Sequence, residues 1–397
     1  MKDSTGVLRT FKYRLFPSQS QDKNLLRVLH ACHGLYNMVL AERKYAWEAE
    51  GRSVTQAELE ALGKRYRQTF PFAQQMFSQT AQSVVKQVDR AFEMFFRRVK
   101  AGKAPGYPRF KPHQQFASFE FKQFGAGARL EGRRLKLYGI GRIVVRWHRP
   151  LEGTIKTVRI VYKSGRWYAC FSVELDKTQS LPQTGSDTGI DVGVSALITT
   201  SDGDKVDNPN YYRTGQSRLK RLQRKLARAK RGSKNRRKAL KAVQRQQEHI
   251  ANQRHDFLHK LSTALIQSFD RIALEDLIVK NMVRNPRLSK SIFDSGWSMF
   301  RHYLTYKAES AGRVVAFVDP RYTSKTCSNC GAVFETLTLA DRWVECACGL
   351  SLDRDHNAAL NILKRAGWDT SVQPNAAPLP QPNGRGKRKR AVEAARL

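Results

Sequence analysis

The sequence predicts a multidomain α+β protein: a small N-terminal β-barrel broken by a helical insertion, then a mixed α/β domain. Three observations predict it. Two-residue alternation at 7–16, and in several short stretches between 118 and 175, is the period of half-buried strands. Apolar residues at three- and four-residue steps from Ser18 to about Lys100 are the period of helices. Beyond Gly189, short apolar runs alternate with helical stretches, as in mixed α/β domains. A chain of 397 residues exceeds one average domain, so two or three compact units are expected.

The opening strand, VLRTFKYRLF, puts Phe11, Tyr13 and Leu15 on one face and Thr10, Lys12 and Arg14 on the other, and Pro17 ends it. Leu25, Val28, Leu29, Leu35, Tyr36 and Val39 then mark a bundle of three or four helices, interrupted near Gly51 and Pro71. GKAPGYPRFKP, 102–112, is rich in Gly, Pro and cations and reads as a linker or a phosphate-facing loop. Strands resume at Phe119/Phe121, Leu135/Leu137, 143–147, 155–162 and 166–175, a close spacing that suits a small barrel which the opening strand joins. TQSLPQTGSDT, 178–188, is the best domain boundary. GIDVGVSALITT (189–200), RIALEDL (271–277) and RVVAFV (313–318) supply apolar runs of the second domain. After Trp368 the chain turns to Pro, Asn and Gly and then to GRGKRKR, a composition expected to be disordered.

The charge selects the partner. Lys and Arg number 71 against 34 Asp and Glu, a formal net charge of +37, so a polyanion is expected and counterion release drives its binding. No run of roughly 18 apolar residues is present and the start, MKDSTGVLRTF, lacks a signal-peptide core, which favours nucleic acid over membrane and a cytoplasmic, nucleoid-associated location. Of six cysteines, Cys32 and Cys170 stand alone in apolar surroundings and read as small core residues.

Three acids are out of place in so basic a chain. Asp191 sits in the middle of an apolar strand between Gly189 and Gly193, Glu275 ends IALE, and Asp355 immediately precedes the apolar face of the last helix. A buried unpaired carboxylate is costly or loses its charge. Alone, Asp191 reads as a strand-end turn acid, Glu275 as a helix N-terminal acid, and Asp353 or Asp355 as a cap. Together they suggest convergence on Mg²⁺ or Mn²⁺, which prefer hard oxygen ligands. Two such ions about 4 Å apart hold an attacking water and a leaving oxygen at a phosphodiester. The flanking glycines would leave room for a nucleic-acid backbone. The pattern is that of a metal-dependent centre of ribonuclease H type, with Asp353 capping or orienting Asp355.

The other four cysteines, Cys327, Cys330, Cys346 and Cys348, form C-x₂-C, fifteen intervening residues, then C-x-C. In a reduced compartment this spacing fits a structural zinc ribbon. The second pair is one residue short of the usual knuckle, which leaves open replacement of Cys346 or Cys348 by another ligand. From Arg213 to Arg254 there are sixteen Lys or Arg and one acid, Glu248. Leu219, Leu222, Leu226, Leu240 and Val243 keep an apolar stripe, and RGSKN makes the turn of a helical hairpin. Solvated charged faces mix signs. A single-sign face points to nucleic acid, with Arg218, Lys220, Arg221, Arg224, Lys225 and Arg228 as its contacts.

GIDVGV, LEDL, the NM at 281–282, LSKSIFDSGWSMFRHYLTYKAE, TSKTCSNCG and DRDHNAALNI, together with YRLFPSQSQ, GLYNMVL and GYPRFK near the start, resemble the TnpB family of RNA-guided nucleases of insertion sequences, related to compact type V CRISPR effectors. The resemblance covers residues 8–366. It implies a wedge barrel (1–17 and 108–180), a helical recognition domain (18–107), a split RuvC nuclease domain (187–326 and 349–366), a zinc-ribbon target-nucleic-acid-binding module (327–348) and a disordered basic tail (367–397). It also implies a guide RNA from the transposon end, a double-stranded DNA target and a short target-adjacent motif, with Asp191, Glu275 and Asp355 catalytic. The rivals are a catalytically silent RNA-guided repressor and an RNA-independent transposase of ribonuclease H-like fold. No helix-turn-helix signature stands out at the N-terminus.

Overall fold

The computed structural model describes residues 7–175, 180–286, 288–338, 340–368 and 378–382. The chain divides into two units, Met1–Lys177 and Thr178–Leu397.

In the first unit β1 (Val7–Phe16) alternates as its sequence dictates, with Tyr13 and Leu15 buried. Ser18 then starts helix α1 (Gln19–Glu50) with a capping box: its hydroxyl accepts from the Gln21 amide and the Gln21 side chain accepts from the Ser18 amide. Gly51, at φ +62°, ends the helix in the left-handed region. Helices α2 (Gln56–Thr69) and α3 (Ser78–Lys100) complete the insertion. The strands that follow are β2 (Ser118–Phe121), β3 (Ala128–Glu131), β4 (Arg134–Leu137), β5 (Gly141–Arg146), β6 (Thr154–Lys163) and β7 (Arg166–Leu175).

With β1 they form one antiparallel sheet in the order β2-β6-β7-β1-β5-β4-β3. β2 and β3 remain as unpaired edges, so the expected barrel is a nearly closed sheet. Tyr13, Phe119, Phe121 and Phe171 from the sheet share one core with Leu25, Leu35 and Val84 from the helices. Cys32 lies in that core, its thiol 3.4 Å from the Met76 sulfur. Cys170 does not: the alternation of β7 buries Ala169 and Phe171 and turns Cys170 to the other, half-buried face, correcting its reading as a core residue.

The second unit is built on β8 (Asp187–Val192), β9 (Ala196–Thr200) and β10 (Lys205–Asp207), then the hairpin of α4 (Tyr211–Arg228) and α5 (Lys234–Ser268). β11 (Arg271–Glu275) leads to α6 (Val279–Met282), α7 (Ser289–Ser295) and α8 (Trp297–Ala311), and then β12 (Val314–Val318). The short pair β13 (Trp343–Glu345) and β14 (Ser351–Asp353) precedes α9 (Arg354–Arg365). The five-stranded sheet runs β10-β9-β8-β11-β12. β11 is parallel to both β8 and β12, while β9 and β10 are antiparallel additions.

GIDVGVSALITT is therefore two strands of a hairpin, and Asp191 is the penultimate residue of the first strand, not its middle. The expected linker is tied down where it is described: the Asp270 carboxylate accepts from the Thr184 and Gly185 amides, each at 2.8 Å, and Arg313 donates to Pro182 O at 2.6 Å. The tail departs from expectation at 378–382. Leu379 is buried in the core of this unit, and Gln381 bonds Lys205 O (2.7 Å) and the Asp207 amide (3.2 Å) on β10. Residues 369–377 and 383–397, which carry the rest of the expected disorder and GRGKRKR, lie outside the described residues.

Candidate functional site

The register of two parallel strands builds the start of the site. β11 pairs with β8 so that Leu274 lies opposite Ile190, and the next step puts Glu275 beside Asp191. Neighbouring strands lie about 4.8 Å apart, and in open α/β sheets the carboxyl ends of parallel strands are where ligands bind. Helix α9 supplies the third acid. Ala359 and Leu363 of that helix lie against Gly189, two residues before Asp191 on the same face, and Asp355 is one turn before Ala359.

The electrostatics register the meeting. Burial, first, and then the charges of Glu275 and Asp355 push the Asp191 carboxyl well above its ordinary range, against a smaller pull from Arg354. Burial also raises Glu275, opposed by a hydrogen bond from the Thr323 hydroxyl and by the charge of Arg365. Asp353 is the N-cap of α9: its carboxylate accepts from the amides of Asp355 (3.0 Å) and His356 (3.2 Å) and pairs with Lys205 Nζ at 2.7 Å. Burial alone would raise Asp353, but Lys205 and the helix amides outweigh it and hold the carboxyl low.

The glycines act differently from the expectation drawn from sequence. A β-carbon on Gly189 would stand 2.2 Å from Ala359 O, and one on Gly193 would stand 2.7 Å from Ala196 O. Helix backbone and hairpin backbone occupy those spaces, so neither glycine leaves room for a nucleic-acid strand.

The four cysteines are brought together. Among the described residues they form the group of three or more His, Cys, Asp or Glu whose ligand atoms all lie within 4.8 Å of one another. Asp191, Glu275 and Asp355 do not stand as such a group among the described residues. Cys327 and Cys348 sulfurs are 3.6 Å apart, and those of Cys330 and Cys346 are 3.5 Å apart. Both pairs sit on tight turns, with Gly331 N donating to Cys327 O at 3.0 Å and Gly349 N to Cys346 O at 2.9 Å. The short C-x-C thus still brings both of its thiols into the cluster.

The basic hairpin forms as expected at its turn, where Arg236 donates to Leu226 O (2.9 Å) and Ala229 O (3.2 Å). Arg218, Lys220, Arg221, Arg224, Lys225 and Arg228 are all exposed on α4. The apolar stripe keeps Leu219 and Val243, but Leu240 is 42% exposed and its neighbour Ala239 takes the buried position. Sequence reasoning missed Asp294, which is 2% exposed. Its carboxylate accepts from the Tyr212 amide (2.9 Å) and from Arg254 (2.7 Å), fixing the start of α4 against α5. SIFDSG marks that acid as following a phenylalanine and preceding a left-handed glycine, a signal too local to reveal partners 40 and 82 residues away.

Comparison with known proteins places this architecture first in a class. A cryo-EM structure of a Cas12f1-sgRNA-target DNA complex shares the fold with a TM-score of 0.56 at 14% identity, covering 90% of this chain and 98% of that one. The particular family follows from sequence. A protein of Streptomyces pristinaespiralis described as "Putative RNA-guided DNA endonuclease" is 35% identical over 364 residues, 90% of this chain and 89% of its own length. The Escherichia coli K12 protein InsQ, with the same description, is 32% identical over 374 residues, 90% of this chain and 92% of its own. A model of the IS605 OrfB family, described as "Probable transposase", matches 170–286, and one described as "Cas12f1-like, TNB domain" matches 297–362. The chain belongs to the TnpB family of RNA-guided DNA endonucleases. A third model, described as a helix-turn-helix domain, matches 1–52, where the described residues form β1 and the single long helix α1.

Proposed function

We propose that this chain is a transposon-encoded, RNA-guided DNA endonuclease whose RuvC-type centre hydrolyses phosphodiesters with Mg²⁺ or Mn²⁺. The observation that carries the reading is the placement of Asp191 and Glu275 on neighbouring parallel strands beside the start of α9, where Asp355 lies, and the Asp191 carboxyl, raised by burial and by those two acids, marks a site short of positive charge. The sheet order, in which three antiparallel strands are followed by two parallel ones, supports the ribonuclease H-like assignment.

Asp191, Glu275 and Asp355 would hold the catalytic cations, which supply the charge that stabilises the attacking and leaving oxygens. Without them the carboxylates repel one another, and a pair of ions about 4 Å apart does not require all three to meet at one point. Asp353 fixes the first turn of α9, and Thr323 and Lys205 fix Glu275 and Asp353. The sulfur separations suit a tetrahedral zinc: Zn–S bonds of about 2.3 Å put neighbouring sulfurs about 3.8 Å apart. Zinc there is structural, because four thiolates leave no open position. The exposed cations of α4 would neutralise phosphates, while pairing with a guide derived from the transposon end supplies sequence specificity. The domain limits given above for the wedge, recognition, RuvC, zinc-ribbon and tail segments, and the prokaryotic cytoplasmic location, are part of the same reading.

The test is direct. Purified protein should carry a discrete RNA, and Asp191→Ala should abolish Mg²⁺-dependent cutting of a matched target while RNA binding persists. Cleavage retained in that variant refutes the assignment. A second reading, an RNA-independent transposase, is favoured by the description of one matching family model, "Probable transposase". Specific cutting that survives removal of bound RNA would select it.

A further inference from the structure

Asn357 and Asn361 lie one turn apart on α9 and are 0% and 7% exposed. Buried amides cost free energy unless every polar atom is used, and these are used on one segment. Asn357 Oδ1 accepts the Ser328 amide at 2.8 Å, and its Nδ2 donates to Thr326 O at 2.8 Å. Asn361 Nδ2 donates to Thr326 O at 2.6 Å and to Thr323 O at 2.8 Å. Lys364, on the same helix, donates to Ser328 O. The segment held this way, 323–328, contains Cys327 at one end. At the other end Thr323, 4% exposed, donates its hydroxyl to Glu275 Oε1. That hydroxyl has one proton and a competing acceptor, Pro320 O at 3.1 Å, so the position of Thr323 decides where the proton points.

Simple adhesion of helix to loop would need only apolar residues. Directional bonds from two side-chain amides to three backbone groups of one short segment, Thr323 O, Thr326 O and Ser328 N, specify a position instead. We propose that Asn361 is a positioning residue which, through Thr323, fixes Glu275, and that Asn357 makes this fix depend on the folded cysteine knuckle. The inference rests on the endonuclease reading for the role of Glu275. Stripping the cluster would free Ser328, the far anchor of the network, and Thr323 would lose its backing.

The test uses the RNA-loaded full chain. Thr323→Val keeps the shape and removes the hydroxyl; Thr323→Ser restores it; Asn361→Asp removes the donor. Mn²⁺ affinity is read by EPR beside kcat, target KM and zinc content. Thr323→Val and Asn361→Asp are expected to weaken Mn²⁺ and lower kcat by about tenfold or more, with KM and zinc content unchanged, because small displacements of reacting groups are costly. Thr323→Ser should match the parent, and chelating zinc from the parent should weaken Mn²⁺ by a similar factor. Unchanged Mn²⁺ affinity in Thr323→Val, or a Ser variant as impaired as Val, overturns the proposal, and unchanged affinity after chelation overturns the coupling. If the parent does not cut but Thr323→Val still weakens Mn²⁺, the positioning role stands and the endonuclease reading falls.

Discussion

Gly189 and Ala359 touch backbone to backbone: a β-carbon built on the glycine would stand 2.2 Å from the alanine carbonyl and 2.7 Å from the Leu363 amide. This contact sets the height of α9 above β8, and with it the separation of Asp355 from Asp191. Gly189→Ala is therefore expected to destabilise the second unit by about 1–3 kcal/mol through overpacking, and to depress cleavage more than RNA binding. Denaturant unfolding and cleavage rates check it, and an unchanged midpoint would show that α9 moves aside freely.

The elevated Asp191 gives a signed pH dependence. In the unfolded chain this carboxyl loses its proton near its ordinary value of 3.8, while in the folded chain it holds the proton to higher pH. Between those limits the folded state binds more protons, so the site's contribution makes stability fall as pH rises. Metal-free Asp191→Asn is expected to melt a few degrees above the parent at neutral pH, with the gap closing below about pH 4. Added Mg²⁺ should raise the parent's Tm and leave the variant's nearly unmoved, as scanning calorimetry would report.

One zinc per chain is expected by elemental analysis. Cys348→Ser should weaken its binding by more than the 10–100-fold typical of groups that only support a ligand. A competing chelator measures that affinity, and a full complement of zinc retained in the variant would show that C-x-C is not part of the ligand set.

Replacing Arg218, Lys220, Arg221, Arg224, Lys225 and Arg228 by Ala or Gln should flatten the salt dependence of RNA binding. Each lost phosphate contact removes about 0.7–0.9 from the slope of log K against log salt, for a total near 4–5. Filter binding across a range of ionic strengths decides this, and an unaltered slope would move the nucleic-acid path off α4.

Much of this was legible in the sequence because periodicity and register report on faces. The alternation of 7–16 gave a strand with the right buried side, and the three helices between Ser18 and Lys100 broke where Gly51 and Pro71 stand. The five-residue turn between α4 and α5, 229–233, was equally plain. Less was legible where meaning depends on what lies opposite. Gly189 and Gly193 read as clearance for a ligand, yet their neighbours are the chain's own carbonyls. Cys170 had an apolar neighbourhood in sequence but the wrong parity in its strand. β13 and β14, of three residues each, are shorter than any period that a pattern can establish. Asn357 and Asn361 stand in DRDHNAALNI, but nothing local announces their partners 29 to 38 residues away.

Gln381 occupies Lys205 O and the Asp207 amide, hydrogen-bonding groups that the outermost strand β10 leaves available. An open rim of this kind is a template on which a second copy could lengthen the sheet, and natural proteins blunt such rims by covering them. Here a few residues from beyond the last helix, bracketed by prolines that cannot themselves extend a ladder, serve as the cover. Trimming the C-terminus for convenience would thus be expected to trade a cleaner polypeptide for one that self-associates side by side.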